Sequence, residues 1–236
     1  QAFFDTIPEV GVLTTKSIGP EPRLGYREPV LSQYAPGCFV NAVGLTNPGA
    51  ETAAKMMSEL VIPDDRFLLI SIFGGSVEEY VEVAKLMAPH GDGLELNLSC
   101  PHAKGYGMAM GQDPDLVKEI TAAVKAAVDI PVVPKLTPNV PNIGEIAAAA
   151  VAGGADAICA INTLGPGCHT SHGEAVLSNG MGGMSGKGVL PIALKCVGEI
   201  SAAVDCPIIG CGGISSADNV RSFQQAGADI IGVGSA

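Results

Sequence analysis

The feature that most constrains the fold is a joint that recurs where helical patterns hand over to apolar runs. It reads Ala-Gly-Gly-Ala-Asp-Ala-Ile at 152–158 and Ala-Gly-Ala-Asp-Ile-Ile at 226–231. A related His-Gly-Asp-Gly-Leu stands at 90–94. Glycine just past a helix end takes the left-handed conformation, and the apolar run that follows enters the core as a strand. One joint repeated along a chain points to one repeating β/α architecture rather than to unrelated domains.

Seven apolar runs with dense β-branched content predict strands buried on both faces, at 10–18, 67–73, 93–99, 132–136, 157–163, 207–213 and 230–235. Amphipathic patterns predict helices over 50–60, 77–88, 114–128, 142–152, 190–204 and 217–226. Asp113-Pro114 supplies an N-cap with proline at the first helical position. Ser216 followed by Asn219 is a weaker cap, without the Glu or Gln of a capping box.

This spacing predicts an α/β chain, a single domain over 1–236 built as a (β/α)8 TIM barrel. Such a barrel needs eight strands, so it is expected to be incomplete at both ends. Residues 1–8 read as the tail of a helix without its preceding strand, and 234–236 as a strand end without its helix. An open doubly wound sheet is the competing arrangement, but no early Gly-x-Gly-x-x-Gly supports it. Two segments break the alternation. Residues 23–40 are too irregular for a helix, and 164–188 read as a long glycine-rich loop. Long loops inside compact domains are usually functional.

Composition narrows the partners. The net charge of −11 argues against nucleic acid and anionic membranes, which need clustered Lys and Arg. No apolar stretch approaches the ~18–20 residues of a membrane-spanning helix. The seven cysteines are scattered without any Cys-x-x-Cys, so no metal is expected and a reducing, cytoplasmic setting is.

Barrel chemistry gathers at the C-terminal ends of strands. Those ends carry Lys16 and Ser17, then Asn97 and Cys100, then Lys135, then Asn162 and Thr163. Gly212-Gly213 and Gly234-Ser235 close the last two strands, the usual phosphate position of a barrel. Each glycine pair alone reads equally well as a tight turn. A lysine inside an apolar strand must be paired or face a polar cavity, where it could neutralise developing negative charge or form a Schiff base. Asn41, Asn97 and Asn162 offer both donors and acceptors to a planar ring; singly, each would pass for a turn residue. Cys100 sits between Ser99 and Pro101 in a polar cluster, where a cysteine can serve as a general base. The other six cysteines read as small buried hydrophobes.

Eight segments in this order make the resemblance specific. They are Thr-Lys-Ser (15–17), Asn-Ala-Val-Gly-Leu-Thr-Asn-Pro-Gly (41–49), Asn-Leu-Ser-Cys-Pro (97–101), Lys-Leu-Thr-Pro-Asn-Val (135–140), Ile-Asn-Thr (161–163), Gly-Gly-Met-Ser-Gly (182–186), Gly-Cys-Gly-Gly-Ile (210–214) and Gly-Val-Gly-Ser-Ala (232–236). With them, the chain from Leu13 to Ala236 resembles the class 1 dihydroorotate dehydrogenases, especially the NAD-linked subclass. The resemblance implies an FMN-dependent oxidoreductase of pyrimidine biosynthesis. Cys100 would take a proton from C5 of dihydroorotate while the hydride from C6 goes to N5 of FMN. Lys16 would act beside flavin and substrate, and Lys135 near the flavin N1/O2 edge. Asn41, Gly44, Leu45, Asn97, Asn162 and Thr163 would contact the substrate. Ser17, Asn97, Gly183, Ser185, Gly186, Gly212, Gly213, Gly234 and Ser235 would contact FMN. An electron-transfer subunit with FAD and a 2Fe–2S cluster is the implied partner, with a homo-oligomeric assembly. His102 stands where the family usually has Asn. Asn-Leu-Ser-Cys-Pro-His is also similar to the pyrimidine domain of dihydropyrimidine dehydrogenases, which is the alternative enzyme. A barrel binding a phosphorylated ligand without redox chemistry is the alternative from another class.

Overall fold

The structure is a computed structural model and describes residues 6–7, 9–98 and 110–234. Its first half contains strands β1 (Val12–Thr14), β2 (Pro22–Arg23), β3 (Leu31–Ala35), β4 (Cys38–Asn41) and β5 (Asn47–Pro48), then helix α1 (Ala50–Met57). β6 (Phe67–Ile72), α2 (Val77–Met87), β7 (Gly93–Asn97), α3 (Pro114–Ala127), β8 (Val132–Leu136), α4 (Ile143–Ala152) and β9 (Ile158–Ala160) follow. Then come β10 (Leu164–Gly167), β11 (Thr170–Ser171), β12 (Glu174–Ala175), β13 (Gly182–Gly186), α5 (Leu190–Ser201), β14 (Ile208–Cys211), α6 (Ala217–Gln225) and β15 (Ile230–Gly232).

Strands β1, β6, β7, β8, β9, β14 and β15 lie side by side in that order, every pair parallel. The sheet curls, because residues 14–17 at the end of its first strand and 232–234 at the end of its last line one cavity. Period-2 alternation divides each strand between two faces. Outward residues such as Leu68, Ile70, Leu94, Leu96, Leu136 and Ile208 pack under the helices against Tyr80, Val83, Ile120, Val197 and Phe223. Each fully buried aliphatic side chain contributes about 1.5–3 kcal/mol. Inward residues Leu69, Val133 and Cys159 form a small interior cluster with Phe67, Ile209 and Cys211.

The repeated joint has a specific job. Asp92, Asp156 and Asp229 each donate a backbone N–H to a carbonyl at the start of a neighbouring strand: Leu68, Val132 and Ile208 at 2.9, 3.0 and 2.9 Å. Each carboxylate then accepts the N–H of that same residue, at 2.7, 2.7 and 2.9 Å. The aspartate therefore clamps the first or second residue of the adjacent strand from both sides and sets its register. Gly154 and Gly227 make the turn at φ +93° and +105°. Gly91 departs from the expected left-handed cap: it is extended at φ −146° after a 3-10 turn over Ala88–His90. Asp156 also pairs with Lys125 at 2.6 Å. Replacing Asp156 by alanine is expected to cost about 1–3 kcal/mol, read as a lower urea midpoint with an unchanged slope.

Helix starts follow local chemistry. Asp113 accepts from the N–H groups of Asp115 and Leu116, and Asn142 from that of Glu145. Ser216 accepts from Asn219 N, while the Asn219 side chain accepts from Ser215 N at 3.1 Å. Asparagine thus completes a reciprocal cap that its sequence understated.

Two predicted elements differ. The strand expected over 10–18 is regular only at Val12–Thr14, because the Thr15 hydroxyl takes the Ser71 N–H in place of a backbone carbonyl; parallel pairing resumes at Ile18. The expected glycine-rich loop over 164–188 and the irregular 23–40 segment are partly strands. They build a four-stranded sheet in the order β10-β13-β4-β3. Gly165, Gly167 and the glycines of 182–186 hide these strands from a propensity reading.

Candidate active site

Four strand ends meet in a continuous line of polar side chains. Ser71 and Ser17 share a hydrogen bond at 2.8 Å between their hydroxyls. Asn97 donates to the Ser17 hydroxyl at 2.9 Å, and Asn162 donates to Asn97 Oδ1 at 3.1 Å. The Thr163 N–H closes the line on Asn162 Oδ1 at 2.8 Å. The end of β7 is pinned from outside by the Tyr80 hydroxyl, which donates to the Asn97 carbonyl at 2.7 Å. Thus β1, β6, β7 and β9 present oriented amides and hydroxyls to one cavity of about 370 Å³, into which Lys16 also extends.

Beside them Lys135 Nζ stands 3.4 Å from Glu95 Oε1. The Glu95 side chain is 4% exposed and that of Lys135 24%. Burial disfavours the Lys135 ammonium, but negative charge at Cys159, Glu95 and Cys211 outweighs it and lifts its pKa above the ordinary lysine value. A buried carboxylate so placed requires its cation. Glu95 is the cavity residue that the sequence reading missed. Its one signal was a lone charge inside Gly-Leu-Glu-Leu, on the same strand face as Asn97.

A second cavity of about 300 Å³ adjoins the first and shares Lys135, Asn162, Cys211 and Gly234 with it. Asn41, Thr163, Ser185, Gly186, Gly212 and Gly213 line it. Asn41 reaches this wall through the antiparallel sheet: β4 pairs with β13, Asn41 opposite Gly183, whose carbonyl accepts from the Asn41 side chain at 3.3 Å. Gly212 and Gly213 have φ +129° and +78°. A Cβ on Gly213 would lie 2.7 Å from the Gly186 carbonyl oxygen. At Gly234 nothing stands within 4 Å of such an atom. Gly212 and Gly213, left-handed where a Cβ would collide, and Gly234 beside open space together form a backbone cradle suited to a compact anion.

Gly183 lies behind this wall, where a Cβ would collide with the Thr163 hydroxyl. Gly44 and Leu45 line neither cavity; they make a tight turn at φ 80° and 59°. The buried Asn47 side chain holds that turn, donating to the Leu45 carbonyl at 2.8 Å. Cys100 and Ser235 lie outside the described residues, as does His102.

Two cysteines expected to be inert packing residues occupy the cavity floor. Cys159 and Cys211 have sulfurs 3.9 Å apart. Their mutual hydrogen bond raises the pKa of Cys159 and lowers that of Cys211.

The family model described as dihydroorotate dehydrogenase matches residues 4–236. The chain belongs to the dihydroorotate dehydrogenase family. It is 46% identical over 230 residues to the dihydroorotate dehydrogenase B (NAD(+)) catalytic subunit of Pyrococcus horikoshii, covering 96% of this chain and 74% of that one. It is likewise 46% identical over 228 residues to the protein of the same name from Methanosarcina mazei, covering 96% and 72%. A crystal structure of ligand-free DHODH from Eimeria tenella superposes with a TM-score of 0.80 at 19% identity, over 95% of this chain and 72% of that one. That last likeness establishes the fold, a parallel β/α barrel sheet. Dihydroorotate dehydrogenases are FMN-dependent oxidoreductases of pyrimidine biosynthesis, and this chain is a member of that enzyme class.

Proposed function

We propose that the two joined cavities are where this chain holds FMN and dihydroorotate, and that it serves as the catalytic subunit of an NAD-linked enzyme. The observation that carries the reading is the Lys135–Glu95 pair. Its lysine stands on the wall shared by the amide line and the glycine cradle, and its glutamate lines the first cavity.

The residues fit the cofactor. The cradle of Gly212, Gly213 and Gly234, with Ser185, Gly186 and Gly183 beside it and Ser235 next in sequence, suits a phosphate held by backbone N–H groups. This suits a chain of net charge −11, in which backbone rather than a basic patch is expected to do that task. FMN, when bound, supplies a two-electron hydride acceptor. The Lys135 ammonium offsets negative charge arising in the cavity, and Glu95 keeps that ammonium in place. Ser17, Asn97 and Asn162 form a preorganised line, and with Asn41 and Thr163 they orient a ring that bears carbonyl and N–H edges. Lys16 adds a cation for a substrate carboxylate, which dihydroorotate has and dihydrouracil lacks. Cys100, three residues after Asn97, takes the C5 proton. Gly44 and Leu45 act through the shape of their turn.

The relatives named catalytic subunits support a separate electron-transfer partner, which we assign as a subunit with FAD and a 2Fe–2S cluster. We place the enzyme in the cytoplasm as a homo-oligomer. The six described cysteines are all free, in keeping with that compartment. Among the described residues no helix is long and apolar enough to cross a membrane.

The test is twofold. Purified protein is expected to carry flavin absorbance released on denaturation, and to turn over dihydroorotate in steady state with a kcat/KM at least about tenfold above that for dihydrouracil, the ~1.4 kcal/mol that one added charge contact readily supplies. Activity confined to dihydrouracil would move the chain to the dihydropyrimidine dehydrogenase reading, and protein without flavin would remove the redox assignment.

A further inference from the structure

Cys159 on β9 and Cys211 at the end of β14 lie on neighbouring parallel strands. Register brings them together: Cys159 pairs with Ile209, so Cys211 stands one same-face step further along. Their sulfurs are 3.9 Å apart, and both line the cavity with Glu95 and Lys135. The Lys135 ammonium interacts with both sulfurs. The hydrogen bond with Cys159, together with that cation, shifts Cys211 down toward the thiolate that attacks electrophiles and ligates soft ions, while Cys159 is shifted up and stays the thiol partner. Two thiols sealed in hydrocarbon would be a packing pair; these two open onto a polar cavity.

We propose that Cys159 and Cys211 form a two-sulfur chelating site for soft, thiophilic ligands of the trivalent organoarsenical class, in the floor of the cavity that holds the flavin. The overlap with flavin rests on the placement of FMN given above; the chelation does not. A hydrated arsenical R–As(OH)2 condenses with both thiols. Two As–S bonds form, two As–O bonds break, and the two thiol protons leave with the two hydroxyls as water. No atom changes oxidation state. Isolated thiols such as the exposed Cys168 form a single As–S bond that excess monothiol reverses. A paired site resists this reversal because its second bond closes intramolecularly.

The probe is phenylarsine oxide, added in the presence of excess mercaptoethanol to flavin-loaded and flavin-depleted protein and read by intact mass spectrometry. The flavin-depleted protein is expected to retain one phenylarsenic group per chain, with two hydrogens lost. Cys159→Ser and Cys211→Ser, and likewise Cys211→Ala, are each expected to weaken retention by about 10²-fold or more, while Cys168→Ser leaves it unchanged. Circular dichroism establishes that each variant is folded. Bound flavin is expected to slow labelling at least tenfold. Absence of a retained adduct in the wild-type chain, or an adduct that survives in folded Cys159→Ser and Cys211→Ser, would overturn the site. Equal labelling with and without flavin, abolished by both serine variants, would leave the chelate standing and overturn the placement of flavin above it.

Discussion

Replacing Cys100 by alanine is expected to lower kcat by about 10²–10⁴-fold, the range in which a positioned general base contributes. Flavin is expected to stay bound, because the glycine cradle and Lys135 are untouched. Binding of dihydroorotate, followed as a change in flavin absorbance, is expected to persist. The fall should appear equally in kcat and kcat/KM, since proton abstraction acts only in the transition state. Turnover at the wild-type level would remove Cys100 from the reaction and send the search for the base to Lys16, which faces the same cavity as Asn97.

Lys135→Met is expected to be the most destabilising single substitution in the cavity wall. It leaves the Glu95 carboxylate, with its side chain 4% exposed, without a cation. Breaking a buried pair from one side costs about 3–5 kcal/mol, whereas replacing both partners is often neutral. The double variant Lys135→Met/Glu95→Gln is therefore expected to regain most of the loss. Urea unfolding of the two variants and the wild type measures this directly. Equal midpoints for Lys135→Met and wild type would mean that water entering the cavity already solvates Glu95. A double variant no more stable than the single would mean that packing, rather than charge, is lost. On the proposed placement of FMN, the same substitution is expected to release flavin on gel filtration, because it removes the cation assigned to the ring.

The repeated Gly-x-Asp joint was legible because its chemistry is local. Glycine conformation and helix capping depend on a handful of adjacent residues, and these fixed the order of strands and helices. The strand ends were legible too, since Lys16, Asn97, Lys135 and Asn162 each follow an apolar run. What the joint aspartates hold was not legible: Asp156 grips Val132, twenty-four residues earlier and on another strand. Nor was the antiparallel sheet. Leu164–Gly167 and Gly182–Gly186 have almost no strand propensity, and they pair only because tertiary contacts with β4 supply their partners.

Glu95, Cys159 and Cys211 show the same boundary at the site. Period-2 alternation tells which face each residue takes, but not what stands opposite. Parallel register sets Cys211 beside Cys159, and curling of the sheet turns the inward faces of β7, β8, β9 and β14 toward one cavity. The sequence alone therefore determined a β/α repeat with polar residues at its strand ends, because periodicity, caps and turns are short-range. Only the tertiary structure decided that Lys135 meets Glu95, that Asn41 enters the site from a separate sheet, and that two cysteines read as packing residues share its floor. Those facts are pairings across dozens of residues, and they leave no mark on local sequence.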